Sequence, residues 1–476
     1  MQHPLVVDLD GTLILTDMLH ESALRVLRLS PAQVLRMPFW LSRGKAVLKA
    51  RLAAVADFDP GTTPYNQDLL AWLRAQRAGG RRLILCTASD RVIADAIAGH
   101  LEIFDEVIAS DGVRNLAGEA KADVLEHRFG RAGFDYAGNS GADLAVWRRA
   151  RRGVVVNASR DLANKAGKIC DVERVFPPKS RGLAVWSRVL RVHQWLKNLL
   201  LVMPALAGHD FHDPGIWLSL ALAFLSFSLC ASAVYIANDL LDLESDRLHP
   251  RKKNRPFAAG LVPTSLGLVA GPVLLCASLA IGSLVGGAFL GCLAFYFLLT
   301  CLYSWTLKKL VLVDCLTLAM LYTIRIITGA VVVGHHLSFW LLAFSVFLFL
   351  SLAFVKRYAE LSVLVLSGND RIHGRGYQAG DAPLIQTMGV AAGYSAVLVL
   401  ALYLNSEAVV TLYRAPQVIW GAVPVMLFWI SWMWMQAHRG RMHDDPLVFA
   451  VKDGASLVTG LAFASVLLAG TVGLPW

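Results

Sequence analysis

The alternation of apolar and polar positions changes character near residue 190. Before it, short apolar runs such as Leu5-Val6-Val7 and Leu83-Ile84-Leu85 alternate with mixed helical stretches, the pattern of buried strands between helices. After it, apolar runs of about twenty residues follow one another with brief polar punctuation. About nine of these are long enough to cross or nearly cross a bilayer, with cores near 195–208, 216–237, 264–283, 287–304, 311–333, 338–356, 386–405, 417–435 and 455–475. The first is the weakest, being short and bounded by Lys197 and His209. The pattern predicts two domains: a mixed α/β domain over residues 1–175 and an all-α polytopic membrane domain over 194–476. Between them, residues 171–182 (DVERVFPPKSRG) carry a proline pair that no helix runs through. The stretch LAVWSRVLRVHQWLKN then reads as an amphipathic interfacial helix, so 176–193 is a linker with that helix. Residues 16–66 interrupt the α/β pattern as a small helical insert, a candidate cap, whose apolar Met37–Leu41 run reads as a helix-packing face.

Composition sharpens this. With 56% hydrophobic and 17% charged residues, the 476-residue chain is too apolar for an ordinary soluble protein. A balance of 45 Lys+Arg against 35 Asp+Glu fits an anionic membrane face or phosphorylated substrates. No basic soluble surface carries interleaved aromatics, which argues against nucleic acid. The seven cysteines show no C-x-x-C spacing and mostly lie in apolar runs, so they are expected to be reduced and structural. The start, HPLVVDLDGT, has neither basic n-region nor cleavage site, so no signal peptide is expected. With nine spans, the connections after spans two, four, six and eight share the side of the first domain. They hold Arg247, Arg251, Lys252, Lys253 and Arg255; Lys308 and Lys309; Lys356, Arg357, Arg371 and Arg375; and Arg439, Arg441 and Lys452. The opposite connections hold little beyond Arg414, which places the first domain and the polar loops in the cytoplasm, at a bacterial inner or plasma membrane.

The chemistry concentrates in Tyr235–Gly260, YIANDLLDLESDRLHPRKKNRPFAAG. On a helix Asp239, Asp242 and Asp246, three and four residues apart, lie on one face. Clustered hard oxygens of this kind suit Mg²⁺, which takes substrate phosphates as further ligands. Arg251, Lys252, Lys253 and Arg255 follow as cations for the same phosphates, and together the run suggests a diphosphate. The plainer reading is a cytoplasmic loop obeying topology rules, but acids so close to a bilayer are costly without a task. Further polar groups gather on the same side: Tyr303 to Lys308, Asp314, Lys356-Arg357-Tyr358-Ala359-Glu360, Gly374-Arg375-Gly376-Tyr377 and Met442-His443-Asp444-Asp445-Pro446. Arg325 sits mid-span and needs either an acid, with Asp314 the candidate, or a buried phosphate.

Leu5-Val6-Val7 running into Asp8-Leu9-Asp10-Gly11-Thr12 resembles the first motif of the haloacid dehalogenase-like (HAD) phosphatases. Leu83 to Ser89, a strand ending in a hydroxyl with Thr87 as the candidate, fits the second; Lys121 in GEAKADVLEHRF fits the third; Tyr136 to Asp143 fits the last, with Asn139 where the family usually has Asp. The resemblance implies a Rossmann-like α/β fold. It also implies Asp8 as nucleophile, Asp10 as general acid/base, Thr87 and Lys121 on the phosphate, and Mg²⁺ held by Asp8, Asp10, Asn139 and Asp143. An amide at 139 lacks the usual charge, and a noncatalytic docking module is the alternative.

The run N-D-x-x-D-x-x-x-D at Asn238–Asp246, set among about nine spans, resembles the UbiA superfamily of intramembrane prenyltransferases. The loop after span six, VKRYAELSVLVLSGNDRIHGRGYQAGD, lacks that family's second aspartate-rich motif. Residues 188–476 are more similar to its decaprenyl-phosphate phosphoribosyltransferase branch, through QWLKN, NDLLDLESDRLHP, RPFAAG, LKK, KRYAEL and MHDDPLVFA. This implies transfer of 5-phosphoribosyl from phosphoribosyl pyrophosphate (PRPP) to a polyprenyl phosphate, with Mg²⁺ on Asp239, Asp242 and Asp246. Lys197, Asn198, Asn238, Lys252, Arg255, Tyr303, Lys308, Arg325, Lys356, Arg357, Tyr358 and Arg375 are the candidate substrate contacts. The HAD-like domain would then remove the 5-phosphate of the lipid product. The rival is prenyl transfer from an isoprenyl diphosphate beside a regulatory HAD domain. Isoprenoid length and oligomeric state stay open.

Overall fold

The computed structural model describes residues 3–56, 58–179, 182–209, 213–367, 375–406, 409, 413–442 and 445–473. The chain forms two compact units, Met1–Leu190 with Tyr235–Pro272, and Arg191–Val234 with Val273–Trp476.

In the first unit β1 (Leu5–Val7), β2 (Leu83–Asp90), β3 (Glu106–Ser110), β4 (Asp135–Gly138), β5 (Arg152–Val156) and β6 (Asp171–Phe176) make one sheet in the order β3-β2-β1-β4-β5-β6. Every pairing is parallel. A parallel sheet is covered on both faces, so its central strand must be apolar at every position. Accordingly Leu5 and Val7 enter one core with Leu83, Leu85 and Leu69, while Val6 enters another with Ile84, Ala122 and Trp147. The α/β fold expected over the first domain is the one observed. The insert is helical, with Met18–Leu29, Pro31–Val34, Met37–Ser42 and Lys45–Val55. The apolar run in it divides: Met37 and Trp40 pack against Val26, Leu48 and Leu52, while Phe39 and Leu41 remain exposed.

The stretch read as one amphipathic helix breaks. Helix Leu183–Val189 ends, Arg191 takes φ 50°, and an eleven-residue 3₁₀ segment, Val192–Val202, follows. The weak first span is this segment plus the five-residue helix Met203–Ala207. Neither piece is among the helices long and apolar enough to span a membrane. The 3₁₀ form also sets a register with its neighbour. Trp195 donates to Ser232 at 3.0 Å and Asn198 to Ser228 at 2.9 Å, three residues on one chain matching four on the other. Both steps advance about 6 Å, so the two ladders stay in phase.

Among the described residues, eight helices are long and apolar enough to span a membrane. They are Pro214–Leu241, Thr264–Val285, Gly287–Trp305, Val313–Val333, Phe339–Leu364, Ala379–Leu404, Pro416–His438 and Gly454–Val472. Val313–Val333 is the buried axis of the second unit, with Asp314, Thr317, Thr323, Arg325 and Thr328 all inside. Apolar residues packed around Tyr322, Phe349, Leu352, Ile430 and Trp434 form that unit's main core.

Candidate active site

In the first unit the carboxyl end of β1 delivers Asp8 and Asp10 into a cavity of about 360 Å³. Gly11 makes the turn at φ +72°, and a Cβ there would stand 2.0 Å from the Asn139 amide nitrogen, so Asn139 is packed directly on the D-x-D turn. Lys121 donates to Asp8 at 2.7 Å and to the Tyr136 hydroxyl at 3.0 Å; Tyr136 in turn donates to Asp143 at 2.7 Å. Burial pushes the Asp8 carboxyl up to about 7 against the pull of Lys121. Asp10 accepts from the Met18 backbone N–H at 2.8 Å and from the Ser89 hydroxyl at 2.6 Å, and burial raises it to about 6. Thr87 is buried and accepts the Ser89 N–H at 2.9 Å, which orients the strand end beneath the acids.

Asp8, Asp10, Lys121, Asn139 and Asp143 therefore line one cavity. The hard oxygens of Asp8 and Asp10 suit Mg²⁺. Asp143 is engaged differently, its Oδ2 accepting from the backbone N–H groups of Asn139 and Ser140 and from the Ser140 hydroxyl. Ser89 and Lys49 were missed from sequence. Ser89 lies two residues beyond Thr87 on the same strand, a period-two signal that was available. Lys49 comes from the insert and had none.

The acid-rich segment also lies in the first unit. Helix Pro214–Leu241 stops before Asp242, which sits at φ −99°, ψ 11°, and Leu243–Leu248 starts afresh. The single helical face expected for the three carboxylates is thus interrupted at its middle member. Asp239 and Asp246, each 2% exposed, are joined by one guanidinium nitrogen of Arg255 at 3.2 and 2.6 Å. Burial raises the Asp246 carboxyl despite that cation. Among the described residues no three His, Cys, Asp or Glu side chains are grouped closely enough for one ion. Two buried carboxylates facing one cation still form a hard-oxygen donor pair of the kind Mg²⁺ takes. Asn238 is half-buried one turn earlier, its carbonyl accepting from Asp242 N, and Lys252 is exposed.

In the second unit the expected cations form three sets. Lys197 donates to Asp445 at 2.7 Å, with Tyr322 at 2.9 Å and Lys356 at 3.6 Å from the same oxygen. Burial opposes ionisation of Asp445, yet Lys197 and Lys356 hold its carboxyl well below the usual range. Asp314 is buried and belongs to Arg357 at 2.5 Å, Arg375 at 3.1 Å and the Tyr377 hydroxyl at 2.5 Å. It is therefore not the partner of Arg325. Arg325 donates to Asn198 at 2.8 Å, to Tyr296 at 3.1 Å and to the Leu321 carbonyl, with the rings of Phe227, Tyr296 and Tyr322 around it. Tyr358 pairs with His438 at 3.0 Å; Tyr303 is half-buried in the last turn of its helix, and Lys308 lies in the 3₁₀ turn Leu307–Lys309. Arg371, Gly374, His443 and Asp444 lie outside the described residues.

Comparison with known proteins agrees with both halves. Residues 199–452 match the UbiA prenyltransferase family, and residues 5–148 match haloacid dehalogenase-like hydrolases. The uncharacterized protein y4nM of Sinorhizobium fredii is 38% identical over 97% of this chain and 90% of its own. The nodulation protein NoeC of Azorhizobium caulinodans is 37% identical over 60% of this chain and 92% of its own. Decaprenyl-phosphate phosphoribosyltransferase of Mycobacterium tuberculosis is 36% identical over 41% of this chain and 66% of its own.

Proposed function

The chain belongs to the UbiA prenyltransferase family with a HAD-like domain at its amino end, and from that premise we propose a two-step lipid glycosylation. In the first step 5-phosphoribosyl passes from PRPP to a polyprenyl phosphate: the bond from ribose C1 to the pyrophosphate oxygen breaks and one to the lipid phosphate oxygen forms. The acceptor oxygen is already ionised, so this step calls for no general base. The buried pair Asp239 and Asp246 would hold Mg²⁺, which would supply charge neutralisation to the leaving pyrophosphate. Lys252 and Arg255 contribute cations from the same segment.

The observation that carries the acceptor assignment is Arg325. Lys197 and Lys356 meet Asp445, and Arg357 and Arg375 meet Asp314, so those cations are already matched with acids. The contacts described for Arg325 are all with neutral groups and aromatic faces. A cation buried in a helical bundle among neutral partners favours an anion, and the lipid phosphate is one. Asn198 and Tyr296 fix its guanidinium plane.

In the second step Asp8 attacks the 5-phosphate, Asp10 protonates the departing ribose oxygen and then activates the water that hydrolyses the aspartyl phosphate. Lys121 balances the charge at Asp8. The basic connections between spans support a cytoplasmic location for this domain and for PRPP entry.

The test incubates the purified full chain with PRPP ³²P-labelled at its 5-phosphate, Mg²⁺ and polyprenyl phosphate in nanodiscs. Label in the lipid phase followed by release of inorganic phosphate is expected. Asp8→Asn should stop the release and accumulate the 5-phosphorylated lipid. Label that stays aqueous, with an isoprenyl diphosphate consumed in a parallel incubation that supplies it, would favour the family's prenyl-transfer chemistry instead.

A further inference from the structure

We propose that the cavity at Asp8 and Asp10 is a composite one. Pro263, at the end of the loop Gly260–Pro263 that follows the acid-rich segment, forms part of its wall, and it selects a sugar carrying both a phosphomonoester and a lipid-linked phosphodiester. The inference rests on the phosphatase half of the function above and names the substrate class of that site.

The cavity includes Lys49 and Pro263 beside Asp8, Asp10 and Lys121. Pro263 is distant in sequence from everything else that lines the cavity, and it immediately precedes Thr264–Val285, one of the candidate spans. A group held against Pro263 is therefore one residue from the start of a helix suited to lipid. The loop is firmly seated. Gly260 adopts φ +66°, and a Cβ on it would stand 2.5 Å from Cβ of Leu15, itself a lining residue. Arg247 grips Glu21 through both guanidinium nitrogens, at 2.9 and 2.5 Å, and donates its Nε to the Ala258 carbonyl at 3.2 Å. Arg25 adds a pair with Glu244 at 3.1 Å. Helix Met18–Leu29, whose first N–H holds Asp10, is thereby tied to the loop that closes the cavity.

Two ammonium groups line this space. Lys121 serves Asp8 and the monoester. Lys49, anchored to the Ala88 carbonyl at 2.6 Å and Asn115 at 3.3 Å, lies in the field of Asp10 and Asp17 and gives the space a second cation besides Lys121. A phosphodiester on the same sugar supplies the second anion. At about 360 Å³ the cavity is at the small end of ligand sites, room for a phosphosugar head but not for a polyprenyl chain, which must stay outside beyond Pro263.

The experiment compares phosphate release from decyl-phosphoryl-ribose 5-phosphate and from free ribose 5-phosphate, using the full chain in nanodiscs. The lipid-linked compound should show kcat/KM at least about tenfold higher, mostly through KM, since its second anion meets Lys49 and free ribose 5-phosphate has none to offer. Gly260→Val, which forces the loop off Leu15, and Lys49→Met, which removes the second ammonium without touching the loop, should each bring the ratio toward unity. Equal kcat/KM for the two compounds in the unsubstituted protein, or an unchanged ratio in both variants, overturns the composite cavity while leaving the phosphatase standing. Phosphate release that is absent, or that Asp8→Asn does not reduce, overturns the phosphatase and this inference together.

Discussion

Arg255→Met probes the acid pair most directly, because one guanidinium nitrogen touches both Asp239 and Asp246. Removing one partner from a buried ion pair costs ~3–5 kcal/mol. Arg255 itself is 29% exposed, so water already screens part of the interaction, and about 2–3 kcal/mol is the expected loss at neutral pH. At roughly 2–4 °C per kcal/mol for a unit of this size, the unfolding midpoint in chelator should fall by about 4–12 °C. The pH dependence has a definite sign. Burial already raises the Asp246 carboxyl, and losing the cation raises it further, so the folded state favours the protonated acid. The deficit is largest at pH 7 and shrinks as pH falls through the raised value. Magnesium should act in the opposite sense. A cation binding only the folded form stabilises by about 2.7 kcal/mol at a hundred times its Kd, and in the variant it no longer competes with Arg255 for the same oxygens. Tryptophan-fluorescence melts in nanodiscs, with EDTA and with Mg²⁺, read both effects. Equal midpoints in EDTA together with equal Mg²⁺ shifts would refute the assignment of this pair as a cation site.

Other substitutions test the second unit. Asp445→Asn strands Lys197 and should lower stability by ~3–5 kcal/mol; Lys197→Met combined with Asp445→Leu should recover most of it, measured by the same melts. Tyr377→Phe removes the hydroxyl that donates to Asp314 and accepts from Leu312 N, costing about 1–3 kcal/mol in denaturation of the reconstituted protein. Arg325→Lys should fail to restore label transfer from PRPP lost in Arg325→Met. An ammonium cannot meet Asn198 and Tyr296 in the guanidinium's fixed plane, and transfer within twofold of the unsubstituted protein would count against the acceptor assignment.

The sheet was legible because its signals are local. Leu5-Val6-Val7 is apolar at every position, as a central parallel strand must be, and the acids fall at its end where the chain turns. Thr87 and Lys121 could be placed by order along the chain; Lys121 lines the cavity beside Asp8, while Thr87 is buried on β2 outside the cavity's lining. The long apolar helices were equally plain, since about twenty residues are required to cross a bilayer and nothing shorter imitates them. The weak stretch near residue 200 escaped that logic. Val192–Val202 takes the 3₁₀ form and Met203–Ala207 is a five-residue helix, so neither is among the eight helices long and apolar enough to span.

Partner choice was the part that sequence left open, and the physical reason is that ion pairs in a bundle are settled by helix packing across long separations. Asp314 and Arg325 share a helix eleven positions apart, about three turns, so they share a face but stand ~16 Å from each other along the axis, too far to pair. Each had to find partners elsewhere, Asp314 in Arg357 and Arg375, and Arg325 in Asn198 and Tyr296. The acid-rich segment shows the same limit in another form. Spacing of three and four presumes an unbroken helix, and the helix is interrupted at Asp242, so that of the three acids the two that share a partner are Asp239 and Asp246, through Arg255. Arg247, one position beyond Asp246, is committed to Glu21 more than two hundred residues earlier. No periodicity records such a contact. It arises because the segment folds against the insert helix, and that packing is what brings Pro263 to the cavity of Asp8 and Asp10.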